Sequence, residues 1–191
     1  MSPGRVPGHR AERGRRALPA VLAVALLLLA LGIAPARAET FGEYEVKAAF
    51  LYQFTLFVGW PGEEDAQGTF GIGIVGNDPF GSLLERAVAG KAVRGRPVVV
   101  RRFKRAADVD SCQVVFLGQA DEGQAAELLE RVRRRPVLTV GETRAFLDRG
   151  GIIRFRLDDN RVRFEIAPRA AERARLRISS RLFGVAEIVG R

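Results

Sequence analysis

Short apolar runs typical of buried strands alternate with helical segments along most of the chain, and this alternation limits the fold more than any other feature. The run at 113–118 is the clearest, because its β-branched and aromatic residues suit a strand covered on both faces. We predict strands at 69–75, 97–103, 113–118 and 137–140, and helices at 80–89, 122–134 and 143–148. Strands separated by helices form βαβ units. The sequence therefore predicts an α/β fold with a mostly parallel sheet and helices on both faces.

An antiparallel hairpin is predicted at the C-terminal end of this sheet, where 151–157 and 161–166 flank a short polar turn. Charged and apolar residues alternate along both strands, so one face is apolar and the other basic, and Glu165 shares the basic face. Such a face is either solvated or docks a partner. The candidate partner-binding residues are Arg154, Phe155, Arg163 and Glu165.

Helices are predicted at both ends of the domain. The first, at 43–58, is apolar on nearly every side and ends before Trp60 and Pro61. Such a helix is buried on two sides, either inside the domain or between subunits. Its candidate core or homodimer residues are Phe50, Tyr52, Phe54, Phe57 and Trp60. A final helix is predicted from the spacing of Ile178, Leu182, Val185, Ala186 and Val189.

Residues 1–38 have the parts of a secretory signal peptide. Five arginines lie within 1–16, and an apolar run of 16 residues follows at 18–33. The small-x-small site Ala36-Arg37-Ala38 comes next, so we predict cleavage after Ala38 and a single exported domain at 39–191. A membrane anchor is the alternative, but the apolar run is shorter than the roughly 18 residues of a spanning helix.

Removing this segment changes which functions the composition allows. It takes six of the 31 basic residues and one of the 22 acidic ones, so the net charge falls from +9 to +4 and nucleic-acid binding is not expected. His9, the only histidine, is also removed, which excludes imidazole metal sites and histidine-dependent nucleophiles. We therefore predict a protein that is not an enzyme and uses neither metal nor cofactor. A carboxylate-dependent hydrolase is a less favoured alternative.

Three smaller features have two interpretations each. The run 71–76 matches the dinucleotide pattern GxGxxG, but its first glycines lie inside a predicted strand, which favours close packing over phosphate binding. Asn77, Asp78 and Ser82 form either a helix cap or a ligand-binding turn at a strand-to-helix junction. Cys112, the only cysteine, is either an inert core thiol or a site of oxidation or intersubunit bridging.

Several blocks of sequence, in order, resemble the YfiR family of periplasmic proteins. The first helix carries EVKAAFLYQF at 45–54 and FVGWP at 57–61. The later blocks are GNDPFG at 76–81, CQVVF at 112–116, VLTVG at 137–141, GGIIRF at 150–155, VRFEI at 162–166 and ISS at 178–180. Together they cover nearly all of 39–191.

The resemblance implies a periplasmic α/β protein that is often dimeric and has no known enzymatic activity. Well-understood members repress a membrane diguanylate cyclase by binding its periplasmic sensor domain, and an outer-membrane lipoprotein relieves the repression by sequestering them. Cyclic-di-GMP signalling, biofilm formation and motility follow. Some relatives carry disulfides, which a chain with Cys112 alone cannot form internally. The alternative function is that of a periplasmic small-ligand sensor.

Overall fold

A computed structural model describes residues 36–118 and 122–190 of the protein, with side chains at 42–118 and 123–190. Residues 1–35 of the signal peptide predicted at 1–38, with His9 among them, lie outside the described residues. Residues 40–191 form one compact unit, and the sheet belongs to it. None of the described helices combines the length and the apolar character that crossing a membrane requires.

The described strands form one large sheet and one small one. They are β1 (Val58–Gly59), β2 (Phe70–Val75), β3 (Ala92–Val93), β4 (Arg96–Phe103), β5 (Val114–Leu117), β6 (Leu138–Gly141), β7 (Ile153–Asp158), β8 (Arg161–Ile166), β9 (Arg177–Ile178) and β10 (Glu187–Ile188). The large sheet has the order β10-β8-β7-β6-β5-β2-β4-β3, and β1 pairs separately with β9. Within the large sheet, only the β7–β8 and β3–β4 pairs are antiparallel.

Helices cover both faces of this sheet. They are α1 (Ala36–Phe57), α2 (Leu83–Val88), α3 (Glu122–Val132), α4 (Arg144–Asp148), α5 (Pro168–Arg173) and α6 (Ser180–Phe183). Apolar residues of α1 and α2 share one core cluster, whereas those of α3 and α4 share the other. The predicted α/β fold, with its mostly parallel sheet and its hairpin, is confirmed.

The prediction of one long final helix is wrong. In its place the chain forms β9, the four-residue α6 and β10. Gly184 follows α6 directly, and Ile188 then pairs in parallel with Ile166 of β8. The apolar residues at helical spacing therefore contribute to tertiary contacts and strand pairing. They do not form one face of a helix. The sequence reasoning also missed α5, although Pro168 stands at its first turn, where proline is favoured.

α1 is held on the sheet by aromatic contacts. The ring of Phe54 stacks on Phe155 with centroids 5.7 Å apart and meets Phe164 edge-on at 5.0 Å. Phe50 meets Phe164 at 5.3 Å. Such pairs add about 0.5–1.5 kcal/mol each beyond the burial of apolar area. Only one side of α1 is buried within this chain, because its opposite side leaves Leu56 47% exposed.

Gly71 and Gly73 of β2 lie where the segment before β5 approaches closely. A β-carbon on Gly71 would lie 2.7 Å from the carbonyl oxygen of Ser111, and one on Gly73 would lie 3.1 Å from the sulfur of Cys112. These glycines therefore serve close packing inside a strand. Cys112 is itself buried, and burial raises the pKa of its thiol to about 11, which keeps the thiol protonated at neutral pH.

One long edge of the large sheet is almost uncovered. β3 pairs only with Arg96 and Pro97 at the start of β4. The backbone N–H of Val98 also donates to the carbonyl oxygen of Lys91. Beyond this hydrogen bond, the outer edge of β4 pairs with no other described strand. This edge is basic, since Arg101 and Arg102 belong to it.

Replacing Phe54 should test whether the aromatic contacts hold α1 on the sheet. We expect Phe54→Ala to lower the free energy of unfolding by about 4 kcal/mol, because it opens a cavity between α1 and the hairpin. Urea denaturation measures the change. The matched control is Gln53→Ala, an exposed neighbour on the same helix, with an expected change within about 0.5 kcal/mol. Equal losses in the two variants would contradict this account.

Candidate partner-binding surface

The register of the hairpin separates its side chains by charge. Arg154 lies opposite Glu165, and Phe155 lies opposite Phe164. Because neighbouring residues of a strand point to opposite faces, the two phenylalanines pack under α1 while the charged pair lies on the other face of the sheet. The division into one apolar and one charged face is therefore as predicted.

Glu165 is a buried carboxylate surrounded by arginines. It is 4% exposed, and Arg154 holds it through Nε at 2.8 Å from Oε2 and through a terminal nitrogen that donates to Oε1 at 3.0 Å. Arg144 and Arg156 approach the same carboxylate at 3.8 and 4.0 Å. The carboxylate thus fixes Arg154 through a charge-assisted hydrogen bond, while Arg144 and Arg156 lie at the limit of ion-pair distance.

A second set of ion pairs joins the hairpin to the C-terminal strand β10. Arg156 donates to Glu187 at 3.0 Å and lies 3.4 Å from Asp158. Exposed pairs of this kind contribute at most about 1 kcal/mol each. They orient the side chain of Arg156 more than they stabilise the fold.

Arg163 and Phe155 have opposite surroundings. Arg163 is exposed and, among the residues that the structure describes, has no acidic partner within 4.0 Å. Phe155 is 1% exposed and belongs to the aromatic cluster under α1. The structure therefore brings Arg154, Arg163 and Glu165 together on the charged face and places Phe155 in the core.

A groove of about 480 Å³ runs beside the charged face. It is lined by Arg156, Asp158, Arg163, Phe164 and residues 184–187. Val185 at this groove is 67% exposed. In this groove an exposed apolar side chain lies beside an arginine that has no acidic partner among the described residues. Sequence reasoning missed Val185 because it assigned this residue to a helix, although Gly184 just before it signals a helix end.

The outward side of α1 forms a second apolar surface. Val46 and Leu56 are 45% and 47% exposed, and Ala49 between them is exposed as well. The residues selected from the sequence face inward to different degrees: Phe54 and Trp60 are buried, whereas Phe50, Tyr52 and Phe57 are half-buried. The outward side of α1 is therefore formed by these three aliphatic residues, and not by the aromatic residues that the sequence pattern selected.

Lys47 is buried beside the carboxyl end of β6. Its ammonium group forms ion pairs with Glu43 and Glu142 and lies 4.4 Å from the centre of the Tyr44 ring. The Tyr44 hydroxyl donates to Glu142 at 3.3 Å. Burial, and next the negative charge of Glu142, raises the pKa of this hydroxyl above its usual range, so it remains a donor. The cluster fastens α1 to the loop after β6, and the sequence reasoning missed it.

The turn after β2 is filled by its own contacts. Asp78 accepts the backbone N–H of Phe80 at 2.8 Å and the Nε–H of Arg102 at 2.6 Å, so both carboxylate oxygens are used. The carbonyl oxygen of Asn77 lies against Gly118 and occupies the space of a β-carbon there. This contact closes the gap between the carboxyl ends of β2 and β5, where open α/β sheets commonly bind ligands.

Ser82 and Arg102 complete the local structure of this turn. Ser82 stands at the N-cap position of α2, but its side chain makes no capping hydrogen bond. Arg102 also pairs with Glu85 of α2, and its hydrogen bond lowers the pKa of that carboxyl. The geometry favours a structural turn over an open ligand cradle. No group of His, Cys, Asp and Glu side chains in the described part of the chain is arranged to hold a metal.

These features define an α/β protein with a charged hairpin face and exposed apolar residues on the outward side of α1. Residues 44–187 match the YfiR/HmsC-like family, and the chain belongs to that family. The family consists of periplasmic regulators of diguanylate cyclase systems and is regulatory rather than catalytic. No curated protein matches the chain.

A solved structure supports the same fold. It is the crystal structure of a conserved domain protein from Vibrio cholerae, with a TM-score of 0.52 and 15% sequence identity. The match covers 76% of this chain and 59% of that chain. At this level of identity the likeness shows the fold alone.

Replacing Glu165 should destabilise the protein. We expect Glu165→Ala to lower the free energy of unfolding by about 3 kcal/mol, because it leaves the largely buried Arg154 without its counter-charge. Chemical denaturation measures the loss. Glu187→Ala is the matched control, since it removes an exposed partner of Arg156 and should cost under about 1 kcal/mol. An unchanged stability of Glu165→Ala would refute a structural role for this carboxylate.

Proposed function

We propose that the protein is an exported, non-enzymatic regulator that represses a membrane-bound diguanylate cyclase by binding its periplasmic sensor domain. Membership of the YfiR/HmsC-like family supports the regulatory role and the periplasmic location. Cleavage after Ala38 would release the domain at 39–191 from its signal peptide.

The contact surface that we propose is the groove beside the hairpin. Arg163 supplies a positive charge that has no acidic partner among the described residues, and Val185 supplies exposed apolar area next to it. The buried Glu165 forms an ion pair with Arg154. This pair fixes the position of the arginine side chain before a partner binds. A preformed surface loses less side-chain entropy on binding than a mobile one. This combination of an unpaired arginine and an exposed valine is the observation that carries the proposal.

Repression requires that the protein distinguish two states of its receptor. Binding shifts the equilibrium of the cyclase only by the difference between its affinities for the inactive and active states. An outer-membrane lipoprotein that sequesters the regulator would lower its free concentration and restore the active state by mass action. The output would be cyclic-di-GMP and, through it, biofilm formation.

The first experiment is affinity capture. The protein, purified from periplasmic extract, is immobilised and exposed to solubilised envelope of the source organism, and retained proteins are identified by mass spectrometry. Recovery of a diguanylate cyclase with a periplasmic domain supports the proposal. Deleting the gene should then raise cellular cyclic-di-GMP. An unchanged cyclic-di-GMP level in the deletion strain would contradict the proposed repression.

Charge reversal at Arg163 tests the contact surface. We expect Arg163→Glu to weaken binding to the purified sensor domain by about tenfold or more without changing Tm, because the guanidinium is exposed and makes no ion pair with any residue that the structure describes. The matched control, Arg86→Glu, reverses an exposed charge on α2 and should leave affinity unchanged. Equal affinities of wild type and Arg163→Glu would remove this residue from the interface.

The outward side of α1 is proposed as the surface between two copies of the chain. Leu56 and Val46 are apolar and nearly half exposed, and pairing two such sides would remove them from water. We expect wild type to sediment as a dimer and Leu56→Glu as a monomer. Ala126→Glu adds the same charge at an exposed position of α3, whose core cluster differs from that of α1, and this variant should remain dimeric. A monomeric wild type, or a dimeric Leu56→Glu, would contradict this assignment.

A further inference from the structure

An open cleft of about 550 Å³ lies on the far side of the molecule from the closed turn at 77–82. α3, the segment before β6, the end of α4 and α5 surround it. Its position is at the amino end of β6 and β7, since Val137 and Ile152 directly precede these strands. The cleft has no part in the hairpin groove described above.

The floor of the cleft is apolar apart from one hydroxyl. Val132, Val137, Ile152 and Ala174 line it and are each at most 6% exposed within the chain. Thr139 is 2% exposed and accepts the backbone N–H of Ile152 at 3.1 Å. Its own hydroxyl proton has no acceptor among the described residues, so a buried donor lines the cleft unused.

The rim of the cleft is cationic. Arg133 and Arg173 line it, and Glu130 is the acidic residue of the lining among the described residues. Arg133 lies 3.4 Å from Glu130. Arg173 has no acidic partner within 4.0 Å in the described part of the chain, and its guanidinium lies against Gly150, where a β-carbon would be 3.6 Å from a terminal nitrogen. The rim of the cleft therefore carries an arginine that has no acidic partner among the described residues.

The walls of the cleft are joined by hydrogen bonds. Arg175, after α5, donates to the carbonyl oxygen of Arg134, after α3, at 3.2 Å. Ala167, at the start of α5, donates to the carbonyl oxygen of Ile152 at 2.9 Å. These bonds hold α5 against α3 and against the start of β7. The opening between them is therefore a built part of the fold.

We propose that this cleft binds a small organic anion with an apolar body. Arg173 binds the carboxylate or phosphate group, the floor covers the apolar body, and Thr139 donates its free hydroxyl proton to a polar atom of the ligand. A volume of about 550 Å³ falls within the range of sites for small molecules. The charge of the rim selects an anion over a neutral or cationic molecule. This site is independent of the proposed repression, because its readout is direct ligand binding.

The test uses probes that share one apolar body. Hexanoate, hexyl phosphate and hexylamine are titrated into the protein purified from periplasmic extract, with acetate as the anion that lacks the apolar chain. Calorimetry gives the affinities, and thermal unfolding gives the stabilisation that binding to the native state must produce. We expect hexanoate or hexyl phosphate to bind and raise Tm. The stronger of the two identifies the anionic group.

Three variants locate the site. Arg173→Gln should weaken binding of the anionic probe by about tenfold, because it removes a charge-assisted hydrogen bond. Ala126→Phe places a large side chain at an exposed position lining the cleft and should block binding without unfolding the protein. Arg169→Gln removes the same charge from the same helix outside the cleft and should bind as wild type does.

Each other outcome overturns the proposal. Binding of neither anion would show that the cleft is not a site of this kind. Equal binding of hexylamine and hexanoate would show that the rim does not select anions. Equal binding by acetate would show that the apolar floor contributes nothing. Undiminished binding by both Arg173→Gln and Ala126→Phe would place the anion elsewhere on the protein.

Discussion

The packing of α1 on the apolar face of the hairpin determines how the rest of the surface is arranged. Phe54 contacts both Phe155 and Phe164, one from each strand, so the helix fixes which face of the hairpin turns inward. A shift of one residue in either strand would bring Arg154 or Glu165 under the helix. The aromatic contacts thus set the strand register, and the register determines which arginines reach solvent.

The charged face shows two kinds of arginine with different roles. Arg154 forms an ion pair with Glu165. Its main role is therefore to supply the counter-charge of a buried carboxylate. Arg163 has no such partner in the described structure and is available to another molecule. The same distinction holds at the rim of the cleft, where Arg133 is paired with Glu130 and Arg173 is not. In both places, the arginine without an acidic partner among the described residues is the one proposed to bind another molecule.

The sequence predicted the elements whose pattern is local. The buried runs became β2, β4, β5 and β6, and the alternation in the hairpin correctly assigned charged and apolar faces. The C-terminal segment was predicted wrongly, since Ile188 pairs with Ile166, a contact that helical spacing cannot reveal. Likewise, the burial of Phe155 and Glu165 and the pairing of Lys47 with Glu142 depend on which elements meet in space. Long-range contacts of this kind leave no periodic signal in a single sequence.

The bare outer edge of β4 has a consequence for how copies of the protein meet. An unpaired strand edge is a template for continuous sheet formation between molecules. In this protein Arg101 lies in that strand and Lys104 follows it, and neither has an acidic partner within 4.0 Å among the described residues, so two identical edges approaching one another would bring like charges together. This repulsion opposes sheet extension and amyloid-like stacking at high concentration. For the pairing of two copies proposed above, the positive charge of this edge disfavours a contact through β4.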